Sequence, residues 1–169
     1  VGVLGVAALA QHGATFLMFR IDGPPAERSR HAVARLWPAV LVLYVLVTVS
    51  TLRVRPAAIE HSPLVAVLPV IALAALIALR AAVARGRAVL AFQTSCVFIA
   101  SLLVAAAATL YPYLLPAYPA SAGGLSIFAA SPSSIALATA LSFTIFGVIV
   151  VAIYSLAIAR RMREKVVVE

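Results

Sequence analysis

Acid is scarce in this chain. Asp22, Glu27, Glu60, Glu164 and Glu169 are its only carboxylates, and none falls within a long apolar stretch. Proton-coupled pumps and transporters place an acid at membrane depth, so the chain alone makes a poor secondary transporter. Cysteine is scarcer still. Cys96 stands alone, which excludes an internal disulfide and any cysteine-rich metal cluster, and its apolar flanks read as packing. There is no H-E-x-x-H, no phosphate-binding glycine loop and no G-x-S-x-G, so no complete active site can be assembled from known motifs.

Charge as a whole is thin. Only 11% of the 169 residues are charged against 64% hydrophobic, and the mean hydropathy is +1.13. A soluble domain carries about a quarter of its residues charged. So few polar side chains cannot clothe a surface in water, and the chain reads as an integral membrane protein. It begins at Val1, already apolar and with no basic region ahead of it. That start does not read as a signal peptide; it reads as a chain entered partway through a span.

About 20 apolar residues cross a bilayer. Five stretches meet or approach that length, at residues 1–19, 33–52, 62–79, 88–110 and 135–159. The expected fold is all-α: an integral membrane bundle of about five transmembrane helices forming a single domain over 1–169. Five spans alternate sides, so connections one and three share a side with the C-terminal tail. All of the 13 cationic residues except Arg53 and Arg55 fall on that side. The positive-inside rule makes it the cytoplasm and predicts a cytoplasmic C-terminus. The net charge of +8 is thereby explained by topology and by attraction to anionic membrane lipid. Nucleic acid is not expected as a partner, because no aromatic residues interleave with the basic ones.

Local signals refine this outline. The stretch "DGPPAERSRHAVARLW" predicts a turn at Gly23 and a helix opened by Pro25 with Glu27 in its first turn. Trp37 is expected at headgroup level, and Pro69 is expected to kink the third span. "SPSS", residues 131–134, predicts an N-cap serine followed by a first-turn proline. The uncharged loop 111–134 holds three tyrosines and four prolines and reads as an ordered interfacial anchor, with Leu125, Ile127 and Phe128 against the membrane surface or a partner.

The unusual residues are Gln11 and His12. Arg20 marks a membrane boundary, and eight residues at 1.5 Å each put His12 about 12 Å inward. In a hydrocarbon core about 30 Å thick that is close to the middle. Polar groups so deep face the protein interior or a cavity. An interhelical hydrogen bond, a quinone or proton-path contact, and haem ligation all fit; the first demands least, and no second axial ligand is specified. Gln93, six residues from Arg87, lies at comparable depth and is expected as a second quinone or proton-path candidate, within reach of His12 across two helices. No metal site and no catalytic residue is expected.

Two stretches carry a family resemblance. "HGATFLMFRIDGPPAERSR" and "LYPYLLPAYPASAGGLSIFAASPSS", about 90 residues apart and followed by a last span and a basic tail, closely resemble segments of subunit II of bacterial cytochrome bd-type quinol oxidases. The resemblance covers essentially the whole chain, as the C-terminal half of that longer subunit. Phe128-Ala129 and the adjoining "AASP" lean toward the cyanide-insensitive branch. The resemblance implies a heterodimer in the bacterial cytoplasmic membrane that oxidises quinol, reduces oxygen to water and generates proton-motive force. It implies that b- and d-type haem, with the quinol site, belong to subunit I. Subunit II would support that partner, hold a structural quinone or lipid, and contribute to a proton path whose acids lie in the other half. The competing expectation is a fragment of a multi-span transporter, which would need repeated spans or a polar site between broken helices.

Overall fold

A computed structural model describes residues 1–54, 64–117, 124–161 and 166–167. Arg55, Glu60, the loop tip 118–123 and the tail residues Arg163, Glu164, Lys165 and Glu169 lie outside the described residues, so the expectations placed on them stop at the sequence. Five α-helices form the described chain: α1 (Gly2–Arg20), α2 (Pro24–Val54), α3 (Leu64–Ala84), α4 (Ala88–Leu110) and α5 (Ser134–Arg161). All five are long and apolar enough to cross a membrane. Short strands complete it: β1 (Ile21–Asp22), β2 (Tyr113–Pro116), β3 (Gly124–Ser126) and β4 (Val166–Val167).

Two compact units divide the chain, Val1–Thr109 with Lys165–Glu169, and Leu110–Glu164. In the first, helices α1 to α4 share a core. The buried residues of α1 are Leu4, Ala8, Gln11, Thr15 and Met18. Their alternating steps of four and three draw the seam that one helix offers to a nearly parallel neighbour. Helix α2 repeats the spacing with Ser29, Val33, Val40 and Tyr44, and α4 with Ala91, Ser95 and Phe98. One apolar cluster joins Leu4, Ala8, Val40, Tyr44, Ala72, Leu76 and Phe98; a second joins Met18, Val33, Leu79, Ala82, Val83 and Ala91. Each cluster takes side chains from all four helices, so both ends of the unit are closed by the same four elements.

Helix α2 starts earlier than the second span read from hydropathy. Gly23 turns the chain with φ 94°, and its carbonyl accepts the N–H groups of Ala26 and Glu27. The helix then opens at Pro24, one residue before the expected Pro25. Arg28, Arg30 and Arg35 therefore ride on helical turns, as the stretch from Pro25 predicts. At 31 residues α2 is about 46 Å long, against a hydrocarbon core of about 30 Å, so a polar portion of it extends past the core. The α3–α4 connection is tight. The N–H of Arg87 donates to the Ala82 carbonyl and that of Gly86 to Val83, while Gly86 takes φ 69°, the left-handed end of a Schellman motif.

Trp37 has a partner on the neighbouring helix α3. It sits 13 residues into α2, packs against both apolar clusters, and its indole N–H donates to the Leu76 carbonyl at 2.8 Å. Pro38 and Pro69 both lie inside unbroken helices. The Tyr44 hydroxyl donates to the Pro69 carbonyl at 2.6 Å, adding a second inward link from α2 to α3. Strand β4 lies parallel to β1, pairing Ile21 with Val166 and Asp22 with Val167, so the C-terminal strand joins the end of the unit where α1 stops and α2 starts.

In the second unit, β2 and β3 form an antiparallel pair, with Gly124 so close to the Leu115 carbonyl that a Cβ there would lie 2.7 Å from it. Leu125 and Phe128 are exposed and Ile127 is half-buried. The start of α5 corrects the sequence reading: Ser133, not Ser131, is the N-cap, its Oγ accepting the Ala136 N–H at 3.4 Å. Pro132 thus stands before the cap, where its fixed φ sets the approach rather than the first turn. Helix α5 is exposed along its described length, and its hydroxyls Thr139, Ser142 and Thr144 each donate to the carbonyl four residues back. Such back-bonding leaves those hydroxyls with no demand on lipid.

Candidate functional site

Between the two apolar clusters lies a polar layer. On α1 the seam positions between Ala8 and Met18 are Gln11 and Thr15; on α4 the position between Ala91 and Phe98 is Ser95. All three are buried, at 2%, 0% and 2% exposure. His12, next on the helix, is half-buried at the edge of this layer.

The layer is a connected network. His12 Nδ1 lies 2.8 Å from Ser95 Oγ, bridging α1 to α4. Ser95 Oγ also lies within bonding reach of the Phe92 carbonyl at 2.6 Å. One proton lies between His12 Nδ1 and Ser95 Oγ, supplied by either the ring or the hydroxyl. Thr15 Oγ1 donates to the His12 carbonyl at 2.7 Å and lies 3.1 Å from Ser95 Oγ. Two hydroxyl protons thus serve two carbonyls and one another, and whichever hydroxyl donates across the helices gives up its carbonyl.

Aromatic rings flank the network. Phe92 of α4 stacks on His12 at 5.1 Å and on Phe19 at 5.6 Å, and meets Phe16 at 5.7 Å. His12, Phe16 and Phe19 recur at helical spacing, so one face of α1 meets a single ring of α4. The Arg20 guanidinium lies 5.7 Å from the Phe19 ring centre, a cation–π contact at the end of the same stack.

Gln11 stands apart. Both its amide atoms are buried with no hydrogen-bond partner. An orphaned buried amide costs about 1–3 kcal/mol. Gln93 does not join the layer: it is exposed, lying two residues and about 200° around α4 from Ser95, which takes the bond expected between Gln93 and His12. Cys96 is exposed too. The residue that the sequence reading missed is Ser95, whose signal was its place in the four-and-three spacing of the α4 seam.

Haem is a poor fit to these residues. His12 has one ring face covered by Phe92 and its Nδ1 bound to Ser95; His31 is exposed near the start of α2. Among the described residues no group of three or more His, Cys, Asp or Glu gathers. What the arrangement offers is a fixed imidazole and hydroxyl chain inside a four-helix membrane unit. Ser95 lies beside an imidazole as a nucleophile would, but it is 2% exposed and so closed to a substrate.

These features define a multi-pass helical membrane protein with a polar layer at bundle depth and no complete catalytic apparatus among its described residues. Comparison makes the class specific. The profile of the family described as "Cytochrome bd terminal oxidase subunit II" matches residues 1–162, and the chain belongs to that family. No curated protein matches the chain. Membership carries the resemblance drawn from the two quoted stretches, and with it the general kind of function: a subunit of a haem-containing oxidoreductase complex, which implies a partner subunit.

Proposed function

We propose that this chain supports a haem-bearing subunit I in a bacterial cytoplasmic-membrane oxidase that oxidises quinol, reduces oxygen to water and builds proton-motive force. The observation that carries the reading is the family match over residues 1–162, borne by five helices fit to span a membrane. In this reading the chain is the C-terminal half of a longer subunit II. The basic end, with Arg20, Arg28, Arg30, Arg85 and Arg87, faces the cytoplasm, as does the C-terminus. The pairing of β4 with β1 supports placing the tail at that end. The b- and d-type haems belong to subunit I, and a structural quinone or lipid is held against the chain's apolar surface.

Within that role, the His12, Thr15 and Ser95 network is an interhelical pin. It fixes how α1 registers on α4 at mid-depth, where apolar contacts alone tolerate sliding. Gln93 lies outside the pin.

The test is a reduced-minus-oxidised absorption spectrum of the tagged native protein, purified in mild detergent from its own membranes. Haem bands of b and d type that co-purify with the tag are the expected result. A colourless, monodisperse preparation of full chain length would sink the oxidase reading and favour a transporter. Replacing His12 by Phe is expected to leave the haem content per complex unchanged; selective loss of one haem band would make His12 a ligand.

A further inference from the structure

The end of the first unit that carries the arginines gathers Arg30, Arg85 and Arg87 at one corner. Helix α2 brings Arg30 across to α3, where its Nη2 lies 3.4 Å from the Ala84 carbonyl. That carbonyl belongs to the peptide joining Ala84 to Arg85. Arg85 is followed by Gly86 and then Arg87, in the turn whose backbone is fixed by the Arg87-to-Ala82 and Gly86-to-Val83 hydrogen bonds. Arg85 and Arg87 are both exposed. Val33, Ala82, Val83 and Ala91 are buried in one cluster, so α2, α3 and α4 are held together next to this turn. The nearest acid along the chain is Glu27, one turn before Arg30 on α2, yet the guanidinium reaches for a main-chain carbonyl instead.

We propose that this corner, Arg30 with Arg85 and Arg87, is a binding site for the phosphodiester of an anionic phospholipid. Like charges gathered at one corner favour an anion there, and the planar fork of arginine matches phosphate in a bidentate manner. The depth selects the source of that phosphate. The α3–α4 turn spans only Arg85 to Arg87 between two spans of mean hydropathy 2.4 and 2.1. A turn so short cannot stand away from the headgroup layer. Arg30 sits in the part of α2 that exceeds the hydrocarbon thickness. All three groups therefore meet lipid phosphate at its own level, whereas a soluble anion would have to compete with lipid there. This rests on reading the helices as membrane spans and not on the oxidase assignment.

The experiment uses the complex purified in mild detergent and stripped of bound lipid by washing. In native mass spectrometry, an equimolar supply of phosphatidylglycerol and phosphatidylcholine is expected to leave phosphatidylglycerol retained about tenfold over phosphatidylcholine. Equal retention of the two lipids overturns the proposal without recourse to any variant. Saturating phosphatidylglycerol is also expected to raise Tm by about 5 °C, with phosphatidylcholine having little effect. The double variant Arg30→Gln with Arg85→Gln should lose most of that rise, while Arg53→Gln, at the far end of α2, should keep it. A rise of the same size with inorganic phosphate alone would make this a soluble-anion site and refute the lipid; so would a double variant that keeps the full response. Absence of haem from the preparation would count against the oxidase reading only, leaving the lipid result to be judged separately.

Discussion

The His12–Ser95 bond is the contact on which the interhelical pin depends, and its worth can be measured by removing each partner in turn. Ser95→Ala deletes the hydrogen-bond partner of His12 Nδ1 and the hydroxyl 3.1 Å from Thr15. Thr15 keeps its bond to the His12 carbonyl, and the Phe92 carbonyl loses only an extra donor. Two interhelical contacts are therefore lost, of which the one to His12 is the shorter. Within membranes such bonds average about 0.6 kcal/mol and reach about 1.7. Ser95 is buried and the bond is short, so a value near 1 kcal/mol is expected. Mutation of His12 needs a ring that keeps the 5.1 Å stack on Phe92, and phenylalanine supplies it.

The double-mutant cycle of His12→Phe with Ser95→Ala then isolates the hydrogen bond from the stacking. Unfolding in mixed micelles of increasing denaturing-detergent fraction gives the four stabilities. A coupling energy of about 1 kcal/mol is expected, with quinol oxidation per haem unchanged across the cycle. Coupling within about 0.3 kcal/mol of zero, the scatter of independent sites, would refute the pin. Loss of turnover at full stability would refute it differently, by showing that the imidazole serves chemistry rather than packing.

Three further outcomes follow from the same geometry. Gln11→Leu removes the orphaned amide at nearly constant volume and is expected to stabilise the protein by about 1–2 kcal/mol, read in the same detergent titration; a loss of stability would mean that the amide has a partner. Gly86→Val forces a branched side chain into φ 69° and should destabilise the α3–α4 corner by about 1–2 kcal/mol, seen as faster proteolysis at that turn. Trp37→Phe gives up the bond to the Leu76 carbonyl and part of the packing between the two clusters, a loss of about 1–2 kcal/mol, whereas an anchor at headgroup level would barely register.

How far the sequence carried can be judged element by element. Hydropathy is blind to the identity of partners but sensitive to length, so five helices fit to span a membrane were legible in it. It is blind to helicity in polar stretches, and there the turn chemistry of Gly23 and the prolines after it supplied what hydropathy lacks: a helix over Arg28 to Arg35. The partner of Trp37 was not legible, because an amphipathic ring suits both an interface and a backbone carbonyl of a neighbouring helix. At the candidate site His12 and Gln11 stood out by chemical contrast with lipid. Gln93 stood out for the same reason, yet contrast does not say which face of a helix is inside. The seam does: on α4 the steps from Ala91 to Ser95 to Phe98 select Ser95. A small hydroxyl is quiet in a composition scan and decisive in a core.

The placement of polar groups also bears on how a partner subunit is recognised. Helices already in lipid gain nothing by burying apolar surface as such, so they associate through packing and hydrogen bonding. Here Thr139, Ser142 and Thr144 of α5 are satisfied by their own helix, and Thr15 and Ser95 by the core of the first unit. What the spans leave outward is mainly apolar, with Gln93 on α4 and Tyr154 and Ser155 on α5 among the exposed polar groups. Shape must then do most of the work of association, and shape is only as good as the rigidity behind it. A four-helix unit that slid by half a turn would present a different surface. The polar layer resists that slide, because moving α1 along α4 breaks His12 from Ser95 and unstacks Phe92 at once. A buried polar layer of this kind serves an assembly by holding constant the outer surface of the helices around it.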